Sequence, residues 1–284
     1  MATGAGRKRK LAPSVHVRGE LNNLLVEGVE RDENLVRTLA ELLARFVVQR
    51  LLEADQADFL GQRGRYRRRQ TVQRGSRNGY EPGWLRTPAG SIKIRIPQVR
   101  NSTEPFRPGL LITMRRDPTV LDRVVIRTFA QALSSRGAEE DIRDTNGVPL
   151  ISGAALAEAA YELSEDYQVF ISRDLSDVPV KHLYCDALFR PGPASEEEQA
   201  VLIAWSVDSE GRQRPLHLAV DNKESEDTWT SVFWNLVDRH MPQPATVMCG
   251  GSRAITKAAE MAFPNSVLLR GWIERQTERW TGTA

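Results

Sequence analysis

Apolar residues recur at spacings of three and four across residues 33–60, where Leu35, Leu39, Leu42, Leu43, Phe46, Val47 and Leu51 predict an amphipathic helix. The stripe fits packing on a second subunit and packing on its own domain equally well. Residues 1–30 mix glycine, alanine and charge with little periodicity, and predict a mobile arm whose basic run at 7–10 can touch phosphates. From residue 84 the pattern changes to alternation. Ile92, Ile94 and Ile96 alternate with Lys93 and Arg95 after a Pro88-Ala89-Gly90 turn, so a hairpin with one apolar and one basic face is expected. Beyond a proline-rich link at 106–109, helices are predicted over 120–133, 138–144 and 152–167, with a turn at 134–137. Helix-turn-helix DNA readers and ordinary helical packing share that arrangement. The last helix begins SGAALAEAAYEL, with alanines where base-reading side chains would stand, which argues against direct readout by it.

From residue 181 the texture is that of short strands. KHLYCDALF, QAVLIAWSVD and RPLHLAVDN read as three strands joined by tight turns. A helix over 225–239 follows, with Ser225 at the N-cap and Glu226 and Asp227 in its first turn. ATVMCGGSRAITKAAEMAFP supplies a fourth strand and a second helix, and NSVLLRGW a fifth strand. The expected fold class is α/β: a mainly helical, basic N-terminal region followed by a mixed sheet with flanking helices. The corresponding division is an arm and amphipathic helix over 1–60, a basic DNA-binding region over 61–175, and the sheet domain over 176–284.

Composition adds a charge asymmetry. Residues 1–144 carry 27 Lys and Arg against 17 Asp and Glu, a net +10, whereas residues 145–284 carry 12 against 20, a net −8. The front half is built to meet a polyanion. Within it, residues 61–86 hold eight arginines and one glutamate, interleaved with Tyr66, Tyr80 and Trp84. Arginine suits bidentate phosphate or guanine contact, so Arg65, Arg67, Arg68, Arg69, Arg74 and Arg77, with Lys93 and Arg95 on the hairpin, are the candidate contacts to double-stranded DNA. A solvated charge run is the ordinary alternative, and the aromatics either stack on bases or anchor the loop. At 284 residues and 40% hydrophobic the chain can bury a sizeable core. No apolar run is long enough to span a bilayer and no signal core follows the basic start, so a cytoplasmic protein without a membrane partner is expected. Cys185 and Cys249 lie in strand-like runs without CxxC spacing and read as small buried thiols, not as a zinc site or a disulfide.

Asp186, in LYCDALF, is a carboxylate inside an apolar strand, which is costly unless it is paired, hydrogen-bonded or metal-bound. The stretches DFLG, RNGY, TPAGSIKIRIPQVR, PFRPGLL, LSSRGAEEDIRD, ISGAALAEAAYEL, SRDLSDVPVKHLYCDALFR, SVDSEGRQRPLHLAV, ESEDTW and AEMAFP occur in that order. Together they resemble the Mutator-type transposases of bacterial insertion sequences over residues 53–264. The resemblance implies a DNA-binding region ahead of a ribonuclease H like domain, which holds two magnesium ions on an Asp, Asp, Glu triad to cut and join DNA at element ends. It makes Asp186 the first catalytic, metal-binding aspartate. The second aspartate's position is Gly250, and a Cys and a His of the family pattern are replaced by Gly271 and Glu274. The third acid belongs to a helical insertion that does not occur before Ala284. Asp208, Asp221 and Glu224 are candidate replacements, although the first two read as turn residues and the third as a helix N-terminal charge. The expectation is therefore a DNA-binding transposase with impaired cleavage, forming a homo-oligomer or pairing with an intact transposase. The alternatives are a DNA-binding repressor or inhibitor, or the product of a decaying reading frame.

Overall fold

The computed structural model describes residues 11–61, 75–87, 90–133, 142–143, 149–190, 199–221, 225–250 and 253–270. It begins with α1 (Pro13–Glu27) and α2 (Leu35–Phe59). Residues 13–27, expected within a mobile arm, instead bury Val17, Leu21, Leu24 and Leu25. Those positions are i, i+4, i+7 and i+8 of one helix face, and Pro13 occupies the first turn, where its missing N–H is harmless. Asn34 caps α2 by accepting a hydrogen bond from the Arg37 N–H at 2.9 Å. The apolar stripe of α2 is buried inside its own chain.

The antiparallel strands β1 (Ser76–Thr87) and β2 (Gly90–Arg100) form the expected hairpin, with Leu85, Ile92 and Ile94 buried in the core that α2 shares. Next come α3 (Gly109–Arg116), which the proline-rich approach had hidden, and α4 (Pro118–Leu133). Two short strands follow, β3 (Ile142–Arg143) and β4 (Pro149–Ile151), paired antiparallel where the sequence pattern predicted a helix over 138–144. Of that predicted helix and the turn before it, residues 134–141 and 144 lie outside the described residues. In α5 (Gly153–Ser172), Ser152 is the N-cap, accepting from the Ala155 N–H at 3.3 Å.

The remaining elements are β5 (His182–Arg190), β6 (Gln199–Val207), β7 (Gln213–Asp221), α6 (Glu226–Asp238), β8 (Thr246–Cys249), α7 (Arg253–Ala262) and β9 (Val267–Arg270). The five strands form one sheet in the order β7-β6-β5-β8-β9. β5, β6 and β7 are antiparallel neighbours, whereas β5–β8 and β8–β9 are parallel. Parallel neighbours need a crossover, and α6 and α7 stand in the chain where those connections fall. Alternation divides the sheet into two faces. Leu183, Cys185, Leu202, Ala204, Leu216, Val247 and Cys249 share a core with Trp229, Phe233 and Ile255 from α6 and α7. Tyr184, Ile203, Trp205 and Leu218 join the core made by the N-terminal helices and hairpin. No helix among the described residues is long and apolar enough to cross a membrane.

A buried guanidinium, Arg239, and a half-buried one, Arg173, tie the N-terminal layer to the sheet. Arg239, only 7% exposed, donates from Nε to the Arg173 carbonyl at 2.8 Å, from Nη1 to the Leu216 carbonyl at 3.0 Å and from Nη2 to the Phe170 carbonyl at 3.0 Å. Arg173 donates to the carbonyls of Leu25 and of Pro215. Leu25 and Phe170 lie in the last turns of α1 and α5, where carbonyls lack helical partners and the helix dipole favours a cation. Burial lowers each arginine to about 10, so both remain charged at neutral pH. Arg239 Nη1 also donates to Asn235 Oδ1 at 3.1 Å, and the same oxygen lies 2.9 Å from His217 Nδ1. Since arginine can only donate, that atom is the amide oxygen, and His217 carries its proton on Nδ1. Burial, outweighing the hydrogen bond that His217 donates to Asn235 and joined by the Arg239 charge, holds His217 down at about 4 and hence neutral.

Replacing Arg239 with Leu leaves several buried carbonyls without donors and is predicted to cost about 3 kcal/mol or more of unfolding free energy. Urea denaturation measures this against Lys257→Ala, which removes a surface ion pair and is expected to change stability by no more than about 0.5 kcal/mol.

Candidate functional site

Asp186 lies at the middle of β5, opposite Ile203 of β6, and alternates onto the face that carries Tyr184. It is half-buried, and its Oδ1 accepts a hydrogen bond from the Ala187 N–H at 2.9 Å. On its other side β8 runs parallel, with Cys185 level with Cys249. The Gly250 N–H continues that ladder by donating to the Cys185 carbonyl at 3.2 Å. Gly250 is therefore the next step beside Asp186, on the same face of the sheet.

The two cysteines point to the opposite face and are buried, as their apolar contexts predicted. Burial pushes the Cys249 thiol up to about 12 and Cys185 well above its ordinary range, so both are inert packing groups at neutral pH.

A Cβ at position 250 would lie 3.2 Å from Asp186 Oδ1 and 3.9 Å from Ile255 Cδ1. Gly250 does not have the positive φ that would demand glycine. The backbone accommodates an L side chain at 250 once its neighbour gives by a few tenths of an ångström, and that side chain would start directly against the Asp186 carboxylate.

Neither of the described candidates for replacing this carboxylate stands on β8 beside Asp186. Asp208 accepts from the Glu210 and Arg212 N–H groups, each at 3.0 Å, and from Arg214 Nη1 at 2.8 Å. Burial raises its pKa, but the Arg214 and backbone donors outweigh that effect and hold it below the ordinary value. It staples the β6–β7 turn, five residues along β6 from the position opposite Asp186. Asp221 accepts from the Thr228 hydroxyl at the start of α6. Glu224, Gly271 and Glu274 lie outside the described residues. Among the described residues, no group of three or more His, Cys, Asp or Glu side chains could hold a metal ion. A single carboxylate facing a glycine does not fit two magnesium ions, which need several hard oxygen ligands.

Of the predicted DNA contacts, Arg65, Arg67, Arg68, Arg69 and Arg74 lie outside the described residues. Arg77, Lys93 and Arg95 are exposed on the hairpin. The two described aromatics of the basic stretch divide in role. Burial raises Tyr80 to about 12, marking it as an anchor, whereas Trp84 is 60% exposed with Lys93 Nζ 5.9 Å from its ring centroid. Arg86, exposed near Trp84 on β1, belongs to the same surface, although the sequence pattern does not single it out. Helix α5 offers no such surface on its Glu158, Glu162 and Asp166 side, which is occupied by Arg18 and Arg50 from α1 and α2, with Arg18 Nε 2.6 Å from Asp166 and Arg50 Nε 2.8 Å from Glu162.

The sequence profile described as "Transposase, Mutator family" matches residues 20–274. The transposase for insertion sequence element IS406 of Burkholderia multivorans is 27% identical over 226 residues, covering 78% of this chain and 56% of that protein. The transposase for insertion sequence element IS1081 of Mycobacterium tuberculosis is 29% identical over 228 residues, covering 80% and 54% respectively. The chain thus spans about half the length of the curated relatives it matches. A solved intasome of simian T-cell lymphotropic virus, in complex with the PP2A regulatory subunit B56 gamma, aligns at 12% identity, with a TM-score of 0.24 and coverage of 56% of this chain and 55% of that one.

A Gly250→Asp variant places two carboxylates in contact, so one of them must hold its proton to a higher pH than it would in the unfolded chain. A group with a raised folded pKa loses its stabilising contribution as pH rises. In EDTA the variant is predicted to match the wild type near pH 4 and to fall below it by about 1–3 kcal/mol at pH 7. Urea denaturation at the two pH values measures the difference, and an equal penalty at both would show that the two carboxylates do not meet.

Proposed function

Because the chain belongs to the Mutator family of transposases, we propose that it binds double-stranded DNA at the ends of an insertion element, with the cleavage and strand-transfer chemistry impaired. The observation that carries the second half is the β5–β8 register, which sets Gly250 rather than a carboxylate beside Asp186. The strand order, with three antiparallel strands followed by two parallel ones, supports reading residues 176–284 as a ribonuclease H like sheet. In that fold the first and fourth strands are neighbours and carry the first two acids. The exposed basic hairpin supports reading residues 61–175 as the DNA-contacting region.

Magnesium, when bound in such a centre, activates a water or hydroxyl nucleophile and stabilises the leaving oxygen. The donor set here does not support that step. Asp186 supplies one carboxylate, and its Oδ1 is oriented by the Ala187 amide. What the chain's own residues support is occupancy of DNA by a cationic surface carried on a packed core. Leu183, Leu202 and Val247 on one face of the sheet and Ile203, Trp205 and Leu218 on the other are buried in two cores, whereas Val267 and Leu269 of β9 are exposed. The two buried cores support a folded repressor or inhibitor of transposition over a decaying product, because a glycine at position 250 costs the site a carboxylate and leaves those cores packed.

The reading predicts that the protein retards short duplexes with an affinity that falls steeply as salt rises. It also predicts that supercoiled plasmid carrying the element's terminal repeats stays uncut in magnesium and in manganese. Plasmid cleavage that Asp186→Ala abolishes would overturn the impaired-cleavage reading, and failure to bind any duplex at low salt would overturn DNA binding.

A further inference from the structure

The geometry points to the β1–β2 hairpin as a ribbon that enters the major groove of duplex DNA with Trp84 at its centre; this rests on the DNA-binding reading above. Its outer face is set by the register Pro82↔Arg95, Trp84↔Lys93 and Arg86↔Ser91. All six residues are exposed, three are cationic and none is acidic. The acidic residue of β1, Glu81, pairs with Ile96 and alternates onto the other side. Two paired strands lie about 5 Å apart, and the major groove, about 12 Å wide, admits such a ribbon.

The ribbon is held from beneath and along one edge. Leu85, Ile92 and Ile94 are buried under it. From α2, Gln49 donates to the Arg95 carbonyl at 2.8 Å and accepts from the Arg95 N–H at 2.9 Å, as a neighbouring strand would. Gln56 donates to the Gln98 carbonyl at 2.8 Å. These amides occupy the β2 edge at the positions where an added protein strand would pair, so the outer face, not that edge, is the surface left for a partner. A face of fixed shape with three cations is complementary to phosphate.

Trp84 gives that face more than charge. Its ring is mostly in water and lies close to the Lys93 ammonium, an arrangement that presents an apolar plate beside a cation. In a groove the ammonium meets phosphate while the ring covers base edges or a thymine methyl. The acidic side of α5, paired with Arg18 and Arg50, has no comparable attraction for DNA.

The test uses the full chain and a fluorescein-labelled random-sequence duplex, with anisotropy followed across a sodium chloride series. The triple substitution Arg86→Ala, Lys93→Ala, Arg95→Ala is expected to reduce the salt slope by about 2.7, roughly 0.9 for each phosphate that is no longer neutralised. Trp84→Ala is expected to weaken binding about tenfold with the slope unchanged. Dimethyl sulfate should react less with guanine N7, a major-groove atom, when the wild type is bound. Wild-type binding that neither variant weakens, full N7 reactivity in the complex, or tighter binding to the single strand of equal length would each overturn groove docking while leaving DNA binding intact. A wild type that binds no duplex would overturn both.

Discussion

The parallel pairing of β5 with β8 is the constraint on which the site depends. Once Cys185 is level with Cys249, the next step of the ladder must set residue 250 beside Asp186, whatever side chain that residue carries. The pairing is non-local, so it stands only while α6 packs on the sheet to carry the chain back. Trp229, Phe233 and Leu236 provide that packing, all fully buried. The cysteines contribute as small apolar groups on one face, while Asp186 and Gly250 share the other.

A second constraint joins the site's sheet to the surface proposed for DNA. Arg239 and Arg173 collect carbonyl groups from the ends of α1 and α5 and from β7. The Val29–Gln213 bridge adds the chain after α1 to the edge of β7. Gly28 permits this approach, because a Cβ there would lie 1.9 Å from the Gln213 carbonyl oxygen. With α2 gripping the hairpin through Gln49 and Gln56, the basic ribbon and the Asp186 position of the sheet are carried on one continuous set of packed elements.

The sheet was legible because its signals are local: period-two alternation, glycine turns and a capped helix at Ser225 mark β5 to α6 directly. The first helix was less visible, since its short apolar set stands among glycines and charges, although Pro13 and the Val17, Leu21, Leu24, Leu25 spacing are a sufficient signal in retrospect. The β3–β4 pair was misread because strands of two and three residues have no period to detect. At the site, Asp186 stood out as a carboxylate within an apolar strand, but Gly250 acquired meaning only from the family resemblance. That a side chain at 250 would begin 3.2 Å from Asp186 Oδ1 is a property of strand register, which sequence spacing does not reveal. The role of the two glutamines was hidden for the same reason, since a polar residue within an apolar helix stripe gains its purpose only from the edge it meets.

On the proposed function, position 250 lacks a metal ligand beside Asp186. Electron paramagnetic resonance of manganese titrated into the protein tests it most directly, because the free hexaaqua ion gives a signal that binding removes. No depletion is expected from the wild type, depletion is expected from Gly250→Asp, and that gain is expected to be lost when Asp186→Asn is added. Asp186-dependent depletion by the wild type, or none by Gly250→Asp, would contradict it.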